Sequence, residues 1–369
     1  MDQPTKEQIL ENFESTERSL SPFAVTSRSS KGRAKRESKD QVFVTAYQLD
    51  RQRILYTNAF RRMKHKTQVF LAPQGDHFTT RLAHTLEVCQ TARTIALGLN
   101  LNTDLTEAIA LGHDLGHTPF GHLGEEELNR LSPQGFSHNL QSLRIVDKLE
   151  NEGVGLNLSS EVRYGIVSHS KPRGNFLTHP DISEELSLEG QIVRISDALA
   201  YLNHDLIDSF RSGMLIPKDL PQGLTSVLGS TSSERMQTMI LSVISSSWKV
   251  TGLYDPNPIS DAPDIYISVT DPVASAIEEL REFLFQNVYL PVSDSFAGEQ
   301  ARAIMQILYN YYQNNAEELP SPKGSIEPDI SLRIQDFVSG MTDQYAIAKA
   351  ETLHPGIGSE ITKPYMPAE

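Results

Sequence analysis

The stretch His113-Asp114-Leu-Gly-His117-Thr-Pro-Phe-Gly-His122 places three of the chain's eleven histidines beside one carboxylate. Its other residues are glycine, proline, threonine or apolar. A solvated surface segment would include lysine, glutamate and serine, whereas these polar groups lie in surroundings where an unpaired charge is costly. The stretch therefore predicts, in outline, a site for a metal ion and a phosphate.

Two further residues extend this set to four metal ligands. His84 lies in one helical pattern and Asp197 in another, so two imidazoles and two carboxylates would come from three helices. Such a set leaves positions on a divalent ion for water and substrate oxygens, which is typical of catalytic sites. Nitrogen and oxygen donors without thiolate suit Mn, Fe, Co, Ni, Zn or Mg. Taken singly, His84 is equally compatible with a hydrogen-bonded helix histidine, and Asp197 with a surface carboxylate.

Acidic residues repeat on one face of the helix that carries Asp197. Asp197, Tyr201, Asp205 and Asp208 follow one another at steps of four or three. Like charges at this spacing are mutually destabilising unless a cation or hydroxyl groups meet them. An exposed acidic face is the alternative, but flanking apolar residues indicate a helix packed on much of its circumference. A second His-Asp dipeptide, His204-Asp205, lies in the same helix, and its context favours the first dipeptide as the metal site.

Four polar residues follow the first dipeptide closely enough to reach a bound phosphate chain. His117, His122, Glu125 and His138 all lie within 26 residues of one another and of the metal pair. Imidazoles can donate hydrogen bonds to phosphate oxygens, and one of them can act as a general acid or base. Each alone is also compatible with a hydrogen-bonded core histidine, but their grouping favours function.

Length and composition predict a helical protein with a sizeable core. The chain has 369 residues, 38% of them hydrophobic, and one cysteine, which excludes an internal disulfide and a Cys-rich zinc site. No run of about eighteen apolar residues and no apolar leader occurs, so we expect a cytoplasmic protein with no membrane association. We expect an all-α fold with at most a minor β element, the strand candidate being Asp264–Val269. The predicted helices cover 45–65, 80–99, 104–112, 138–151, 159–169, 189–211, 232–248, 272–288, 298–315 and 328–350.

Charge divides the chain unevenly. The formal net charge is −14, yet residues 28–39 carry +5. This segment has no apolar period, so we expect a mobile or ligand-ordered basic arm. A solvated linker is one interpretation, and docking on phosphate of a nucleotide or single-stranded DNA effector is the other. The expected organisation is an N-terminal segment with the arm (1–40), a catalytic core (41–211), a C-terminal helical extension of the same body (212–350) and a tail (351–369). Residues 213–231 and 251–271 are expected to be loops or a small accessory element.

Together these motifs resemble the HD superfamily, and most closely its deoxyguanosinetriphosphate triphosphohydrolase (dGTPase-like) branch. Arg81-x-x-His84, the 113–122 stretch and Asp197 match the superfamily. The segments Phe60–Val69, with Gln68, and Phe136–Val146, with His138, are similar to dGTPase-like motifs, as is the spacing Asp197-x3-Tyr201-x3-Asp205. The resemblance covers roughly residues 41–211.

The resemblance implies cleavage of a 2′-deoxynucleoside 5′-triphosphate into deoxynucleoside and inorganic tripolyphosphate, in a homo-oligomer, with Mn²⁺ or Mg²⁺ as the first expectation for the metal. It implies His84, His113, Asp114 and Asp197 as metal ligands. It implies that His117 acts as the acid toward the 5′-oxygen with Glu125 as its orienting carboxylate, while His122 contacts the α-phosphate and His138 supports them. It further implies that Arg81 neutralises triphosphate charge, that Gln68 and Asp205 bind the 3′-hydroxyl, and that Tyr201 excludes a 2′-hydroxyl. Ala198 replaces a lysine of vertebrate relatives, so contacts to the β- and γ-phosphates must come from elsewhere; the basic candidates are Arg62, Lys64, Lys66, Arg163, Lys171 and Arg173.

Two other functions fit the same residues. One is an HD phosphohydrolase that acts on nucleoside monophosphates or other phosphate esters, whose short pocket would not require Tyr201 and Gln68 to face the metal. The other is a nucleotide or nucleic-acid binding regulator that keeps the metal cage without turnover, for which the basic arm is the motive.

Overall fold

Helices follow one another along the chain. The computed structural model describes residues 3–37, 43–71, 77–170, 186–253, 265–320, 328–359 and 361. Among these residues no β-strand forms, and two isolated bridges join Arg33 to Ser159 and Thr67 to Thr80. The expected all-α class is therefore confirmed. The α-helices are α1 (Lys6–Glu17), α2 (Ala46–Leu55), α3 (Asn58–Arg62), α4 (Arg81–Gly98), α5 (Thr103–Gly112), α6 (Gly121–Leu131), α7 (His138–Arg144), α8 (Ser160–Ser168), α9 (Leu188–Arg211), α10 (Gln222–Leu228), α11 (Ser232–Ser246), α12 (Asp271–Leu284), α13 (Leu290–Ser293), α14 (Phe296–Asn314), α15 (Ile330–Ser339) and α16 (Asp343–Leu353).

Three of these helices, α4, α5 and α9, pack against one another at the centre of the fold. The apolar positions of α9 are buried on most of its circumference, including Ile192, Leu199 and Leu206, none of which is exposed. Side chains of α4 and α5, such as Val88 and Ile109, are equally buried. Burying an aliphatic side chain of this size contributes roughly 1.5–3 kcal/mol. The packed trio therefore gives a rigid frame for the polar residues that it carries.

Two predicted helices are divided in the structure. The pattern over 45–65 breaks after Leu55, because Thr57 accepts a hydrogen bond from the Phe60 amide and caps a new helix, α3. The pattern over 328–350 breaks at Gly340, and Thr342 caps α16 in the same way. Side-chain caps satisfy amides that the first helical turn leaves free, so a threonine within an apolar pattern can restart a helix.

One expectation for the less regular segments is wrong. The segment 213–231, predicted as a loop or a small accessory element, contains the short helix α10. The strand candidate Asp264–Val269 forms no strand over its described residues, 265–269, and residue 264 lies outside them. Ile267 donates its amide hydrogen bond to the Gln191 side chain, so a side-chain partner replaces a neighbouring strand.

Helix α6 was not predicted. It carries His122 and Glu125. Its N-cap residue is Phe120, whose backbone has the left-handed angles φ 61° and ψ 24°. Phe120 offers no side-chain cap, so the usual Ser, Thr, Asp or Asn signal is absent. The helix follows from tertiary packing, because Leu123 and Leu128 join a hydrophobic cluster with the C-terminal helices.

The hydrophobic core consists of two clusters. The larger one includes residues from Tyr47 to Val288 and surrounds α4, α5 and α9. The second joins Phe120, Leu123 and Leu128 to α14, α15 and α16. The C-terminal helices therefore pack directly against the segment that follows the first His-Asp dipeptide.

The described part of the basic arm, residues 28–37, lies against the protein's own polar groups. Arg33 forms an ion pair with the fully buried Asp50 and donates to the Asn157 carbonyl at 2.7 Å. Arg28 pairs with Glu14 at 2.7 Å, and Nζ of Lys35 donates to the Val154 carbonyl at 2.8 Å. The expectation of a mobile or ligand-ordered arm is therefore wrong for these residues, and residues 38 and 39 lie outside the described ones.

None of the helices in the described part of the chain combines the length and the apolar composition needed to cross a lipid bilayer.

Candidate metal and phosphate site

The four predicted metal ligands lie together. His84 comes from α4, His113 and Asp114 follow the end of α5, and Asp197 comes from α9. Nε2 of His84 is 3.2 Å from Oδ1 of Asp197, and Nε2 of His113 is 3.6 Å from Oδ1 of Asp114 and 3.9 Å from Oδ1 of Asp197. Asp197 keeps 23% of its side chain exposed, whereas the other three are buried. The set is thus closed toward the core and open on one side.

The hydrogen bonding of His113 tests whether this set fits a cation. Nδ1 lies 2.7 Å from the Ala110 carbonyl oxygen, an acceptor, so this nitrogen must carry the proton and donate. In a neutral ring Nε2 then has a bare lone pair, and this atom is buried without a hydrogen-bond partner. A lone pair directed at two carboxylates is unfavourable without a cation between them. The donor set therefore fits a divalent ion, with the Ala110 carbonyl fixing the tautomer of a ligand.

A second ligand is fixed in the same way by a histidine that the sequence analysis set aside. Nδ1 of His84 is 2.9 Å from Nε2 of His204, whose Nδ1 is 2.8 Å from Oδ1 of Asp205. Burial disfavours a charged ring, but Asp205 raises the pKa of His204. Oδ2 of Asp205 accepts a hydrogen bond from the Tyr289 hydroxyl at 2.8 Å. His204 lies seven residues after Asp197, two helical turns on the same face, and this spacing is a signal that could have found it.

Arg81 binds the carboxylate of Asp114, one of the predicted metal ligands. Its Nη1 donates to Oδ2 of Asp114 at 2.7 Å, and both side chains are buried. Burial opposes ionisation of Asp114, but Arg81 holds the pKa of that carboxyl well below its usual value. Nη2 of Arg81 is buried without a partner. A Cβ on Gly121 would lie 3.2 Å from Nη2 and 2.6 Å from the Gln68 carbonyl oxygen, so glycine is needed there for space as well as for its positive φ.

Behind the ligands, a chain of histidines ends at Glu125. Oε1 of Glu125 lies 2.7 Å from Nδ1 of His138 and accepts from the His138 amide at 2.8 Å. Nε2 of His138 is 3.0 Å from Nε2 of His169, whose Nδ1 is 2.6 Å from the Ile166 carbonyl oxygen. His169 therefore donates from Nδ1 and accepts at Nε2, so His138 carries protons on both nitrogens. Burial disfavours that charge, but Glu125 raises the pKa of His138.

The assignment of Glu125 to His117 needs correction. Glu125 hydrogen bonds to His138, while the His117 ring stacks on the His138 ring with centroids 4.2 Å apart and planes 17° apart. Nδ1 of His117 is buried without a hydrogen-bond partner. Burial, together with Arg81 and His138, lowers the pKa of His117, so its ring is neutral. The reason is geometric, because the turn at Phe120 directs the first turn of α6 toward His138.

His122 differs from the other histidines in its exposure. It leaves 75% of its side chain exposed, with Nδ1 3.6 Å from Oε2 of Glu125. It therefore lies at the open side of the site, where its ring can contact an anion that enters from solvent.

The residues that the resemblance implies for sugar binding differ in their hydrogen bonding. Oε1 of Gln68 is buried and without a partner. Asp205, by contrast, is already engaged by His204 and Tyr289. Tyr201 lies on α9 between Asp197 and Asp205, and burial together with Asp197 raises the pKa of its hydroxyl. Gln68 thus offers a free amide oxygen, and Tyr201 offers a neutral phenol.

Two other residues of this region, His169 and Tyr289, were missed by sequence reasoning. His169 ends the α8 pattern and Tyr289 belongs to the C-terminal third, and neither has a spacing relationship with the ligand motifs.

Among the basic candidates for phosphate contacts, Arg163 pairs with Asp147 at 2.6 Å, and Nζ of Lys66 donates to two backbone carbonyls. Lys171 and Arg173 lie outside the described residues.

Comparison with known proteins matches two segments to protein families. Residues 81–202 match the HD domain, and residues 267–352 match the phosphohydrolase-associated domain. Three relatives are each named deoxyguanosinetriphosphate triphosphohydrolase-like protein. The one from Caldanaerobacter subterraneus subsp. tengcongensis is 45% identical over 89% of this chain and 91% of its own length. Those from Clostridium tetani and Bartonella tribocorum are 40% and 37% identical, over 93% and 84% of this chain and 95% and 89% of theirs.

Proposed function

The chain belongs to the deoxyguanosinetriphosphate triphosphohydrolase-like family of HD-domain phosphohydrolases, and from this premise we propose that it hydrolyses 2′-deoxynucleoside 5′-triphosphates to a deoxynucleoside and inorganic tripolyphosphate. One observation carries the proposal. Three residues that approach Asp114 have buried polar atoms without hydrogen-bond partners: Nε2 of His113, Nδ1 of His117, and Nε and Nη2 of Arg81. The first is a lone pair suited to a cation, and the last is a donor suited to an anion. A phosphate bound to a divalent ion satisfies both.

His84, His113, Asp114 and Asp197 would hold the ion. When bound, a divalent ion supplies Lewis-acid stabilisation of charge on phosphoryl oxygens. The protein's own part is to orient these ligands, through the Ala110 carbonyl behind His113, His204 behind His84 and Arg81 behind Asp114. Two carboxylates with two imidazoles do not select one metal. Manganese and magnesium are the ions to test first, because the resemblance makes them the first expectation.

The proposed reaction adds water to the α-phosphorus and breaks the bond from that phosphorus to the 5′-oxygen. The 5′-oxygen gains a proton and leaves as the deoxynucleoside hydroxyl, and the three phosphates leave as tripolyphosphate. We assign the proton donor to His117. Its ring is neutral in the free protein, and a triphosphate anion beside it raises its pKa and favours the protonated form.

The remaining roles follow from position. Arg81, with Nη2 directed past Gly121, would meet a phosphoryl oxygen, and the exposed His122 would contact the α-phosphate. Glu125 would act on His138, keeping it cationic under the stacked His117 ring, and so add positive charge behind the phosphate. Gln68 would accept from the sugar 3′-hydroxyl through its free Oε1, and Tyr201 would occupy the space that a 2′-hydroxyl requires.

The test is an identification of products. The purified protein is incubated with each dNTP and each NTP and with Mn²⁺ or Mg²⁺, and the phosphorus-containing product is identified by ³¹P NMR. We expect tripolyphosphate, from dNTPs and not from NTPs. Release of orthophosphate or pyrophosphate from dNTPs would contradict the proposed reaction. Turnover of nucleoside monophosphates alone would support the shorter-pocket phosphohydrolase, and tight nucleotide binding without turnover would support the regulator.

A further inference from the structure

One buried carboxylate connects the C-terminal segment to two parts of the candidate site. Asp343, the first residue of α16, is 2% exposed. Its Oδ1 accepts a hydrogen bond from the Phe120 amide at 3.1 Å. Its Oδ2 accepts from the Thr67 amide at 3.0 Å and from Oγ1 of Thr67 at 2.5 Å. Asp343 lies in the phosphohydrolase-associated segment, whereas Phe120 lies in the HD segment.

The two groups that Asp343 holds are those that place site residues. Phe120 has a positive φ, an unusual and strained conformation for a bulky residue, which persists only where the surroundings impose it. Its backbone starts α6, and therefore sets the position of His122 and Glu125. Thr67 precedes Gln68. The carboxylate thus satisfies the amides of a strained turn and of the segment beside it, which would otherwise be buried donors without acceptors.

A second contact joins the same elements through a buried lysine. Nζ of Lys66, itself 2% exposed, donates to the His117 carbonyl at 2.5 Å and to the Ser339 carbonyl at 2.7 Å. Ser339 is the last residue of α15, and His117 lies in the first His-Asp stretch. Lys66 and Asp343 therefore tie both sides of the loop 117–121 to the C-terminal helices.

Apolar packing alone does not set the loop's orientation. The second hydrophobic cluster holds Phe120, Leu123 and Leu128 against the C-terminal helices, but apolar contact is not directional. Hydrogen bonds to a carboxylate are directional and, being charge-assisted, roughly twice as strong as neutral ones. The direction of the Phe120 amide, and hence the start of α6, depends on Asp343.

We propose that Asp343 is a positioning residue for the phosphohydrolase reaction, through which the C-terminal segment sets the placement of Gln68, His122 and Glu125. The proposal deepens the proposed function and rests on it for the kinetic readout alone. It assigns a role to the phosphohydrolase-associated segment: the HD segment holds the metal ligands, and a carboxylate from outside it completes the geometry around them.

The test compares Asp343→Asn with Asp50→Asn. An asparagine side chain keeps one oxygen as an acceptor. Its NH₂ group replaces the other oxygen and faces a backbone amide that also donates. Asp50 is a control for the loss of a buried carboxylate elsewhere in the fold: it is fully buried, its Oδ1 pairs with Arg33, and its Oδ2 accepts from the amide and Oγ of Ser159, at 2.9 and 2.5 Å, as Asp343 does from Thr67. We expect faster amide hydrogen exchange over residues 117–125 in Asp343→Asn and not in Asp50→Asn. The exchange measurement needs no substrate, so it remains valid if the protein turns over no dNTP.

Kinetics give the second readout. For Asp343→Asn we expect kcat for dNTP hydrolysis to fall by about 10²-fold, the cost of displacing reacting groups by about 1 Å. The Mn²⁺ Kd, measured by calorimetry, should stay within about threefold, because Asp343 contacts none of the four ligands. Asp50→Asn should change neither value. Unchanged exchange over 117–125, or a loss of kcat that matches the unfolded fraction or the loss of Mn²⁺, would overturn the proposal.

Discussion

Nδ1 of His84 lies 2.9 Å from Nε2 of His204, so one histidine of the second His-Asp dipeptide supports a ligand of the first site. In the proposed metal-bound form, Nδ1 of His84 donates to Nε2 of His204, whose own proton lies on Nδ1, 2.8 Å from Oδ1 of Asp205. In that form Nε2 of His84, 3.2 Å from Oδ1 of Asp197, carries the lone pair that a metal ion needs. Partners of this kind raise the basicity of a ligand and fix its ring.

Replacing His204 should weaken metal binding without removing a ligand. His204→Phe keeps a ring and loses the acceptor, so we expect the Kd for Mn²⁺ to rise by about 10- to 100-fold, measured by isothermal titration calorimetry. His204→Gln, which can offer an amide oxygen to His84, should recover part of the affinity. His65→Phe, at an exposed position, is the control. Equal affinities for wild type and His204→Phe would show that the contact has no effect on the ligand.

Asp114 and His117 should separate metal binding from chemistry. Asp114→Ala removes a ligand and leaves Arg81 buried without its partner, so we expect loss of the metal, loss of turnover and a stability loss of about 3–5 kcal/mol. His117→Ala should keep the metal and the dNTP bound and lower kcat by on the order of 10²- to 10⁴-fold. Metal content and single-turnover rates distinguish the two variants. If His117→Ala lost the metal as completely as Asp114→Ala, His117 would be a ligand.

The pair of Glu125 and His138 predicts a stability difference that depends on pH. Glu125 raises the pKa of His138, so the contribution of that histidine is complete below its unfolded value of about 6.5 and is lost as pH rises through the folded pKa. Burial opposes ionisation of Glu125, yet His138 lowers its pKa, so its contribution is present above about 4.5 and is lost at more acidic pH. We expect Glu125→Gln to cost about 3 kcal/mol between pH 5 and 6.5, and less at pH 9. Urea unfolding of the metal-free protein measures this difference, and a constant difference across the range would contradict the charged pair.

Tyr201 should control the choice of sugar. The side chain lies on α9 between Asp197 and Asp205, so its removal would open the space beside the ligand set. For Tyr201→Ala we expect the ratio of kcat/KM for dGTP over GTP to fall by about 10- to 100-fold. Tyr56→Ala, at a side chain 68% exposed, is the matched control and should keep the ratio. A fall of both activities with an unchanged ratio would assign Tyr201 to structure instead of selectivity.

The sequence predicted which residues would lie together in the proposed metal site, and it predicted less of the contacts within the histidine cluster. His113 and Asp114 are adjacent, and His84 and Asp197 lie in strongly periodic helices, so local pattern was enough to group them. The partner of Glu125 could not be predicted, because it depends on the backbone angles of Phe120, which in turn depend on a carboxylate 223 residues away. His169 and Tyr289 reach the site only through tertiary packing. Threonine is a common helix cap, so the sequence allows helix breaks at Thr57 and Thr342. The apolar period continues across both positions and therefore does not indicate the breaks.

Glu189, which contacts Val25 of the N-terminal segment, should make the protein more stable at acidic pH than at neutral pH. The carboxyl is fully buried, and Oε1 accepts from the Val25 amide at 3.0 Å and the Asn102 amide at 3.2 Å, while Oε2 has no hydrogen-bond partner. Burial raises its pKa to about 7. The folded state therefore binds a proton that the unfolded state releases above about pH 4.5, so stability falls as pH rises from there to about 7.

Glu189→Gln tests this directly, because glutamine keeps the oxygen that accepts both amides and cannot ionise. We expect the variant to be more stable than wild type at pH 8, by on the order of 3 kcal/mol, and equally stable near pH 4. Urea unfolding at a series of pH values gives the difference, and Glu279→Gln, at an exposed position of α12, is the control. A wild-type advantage at pH 8 would mean that the ionised carboxylate is stabilised where it lies, and that its contacts with Val25 and Asn102 outweigh the cost of burying its charge.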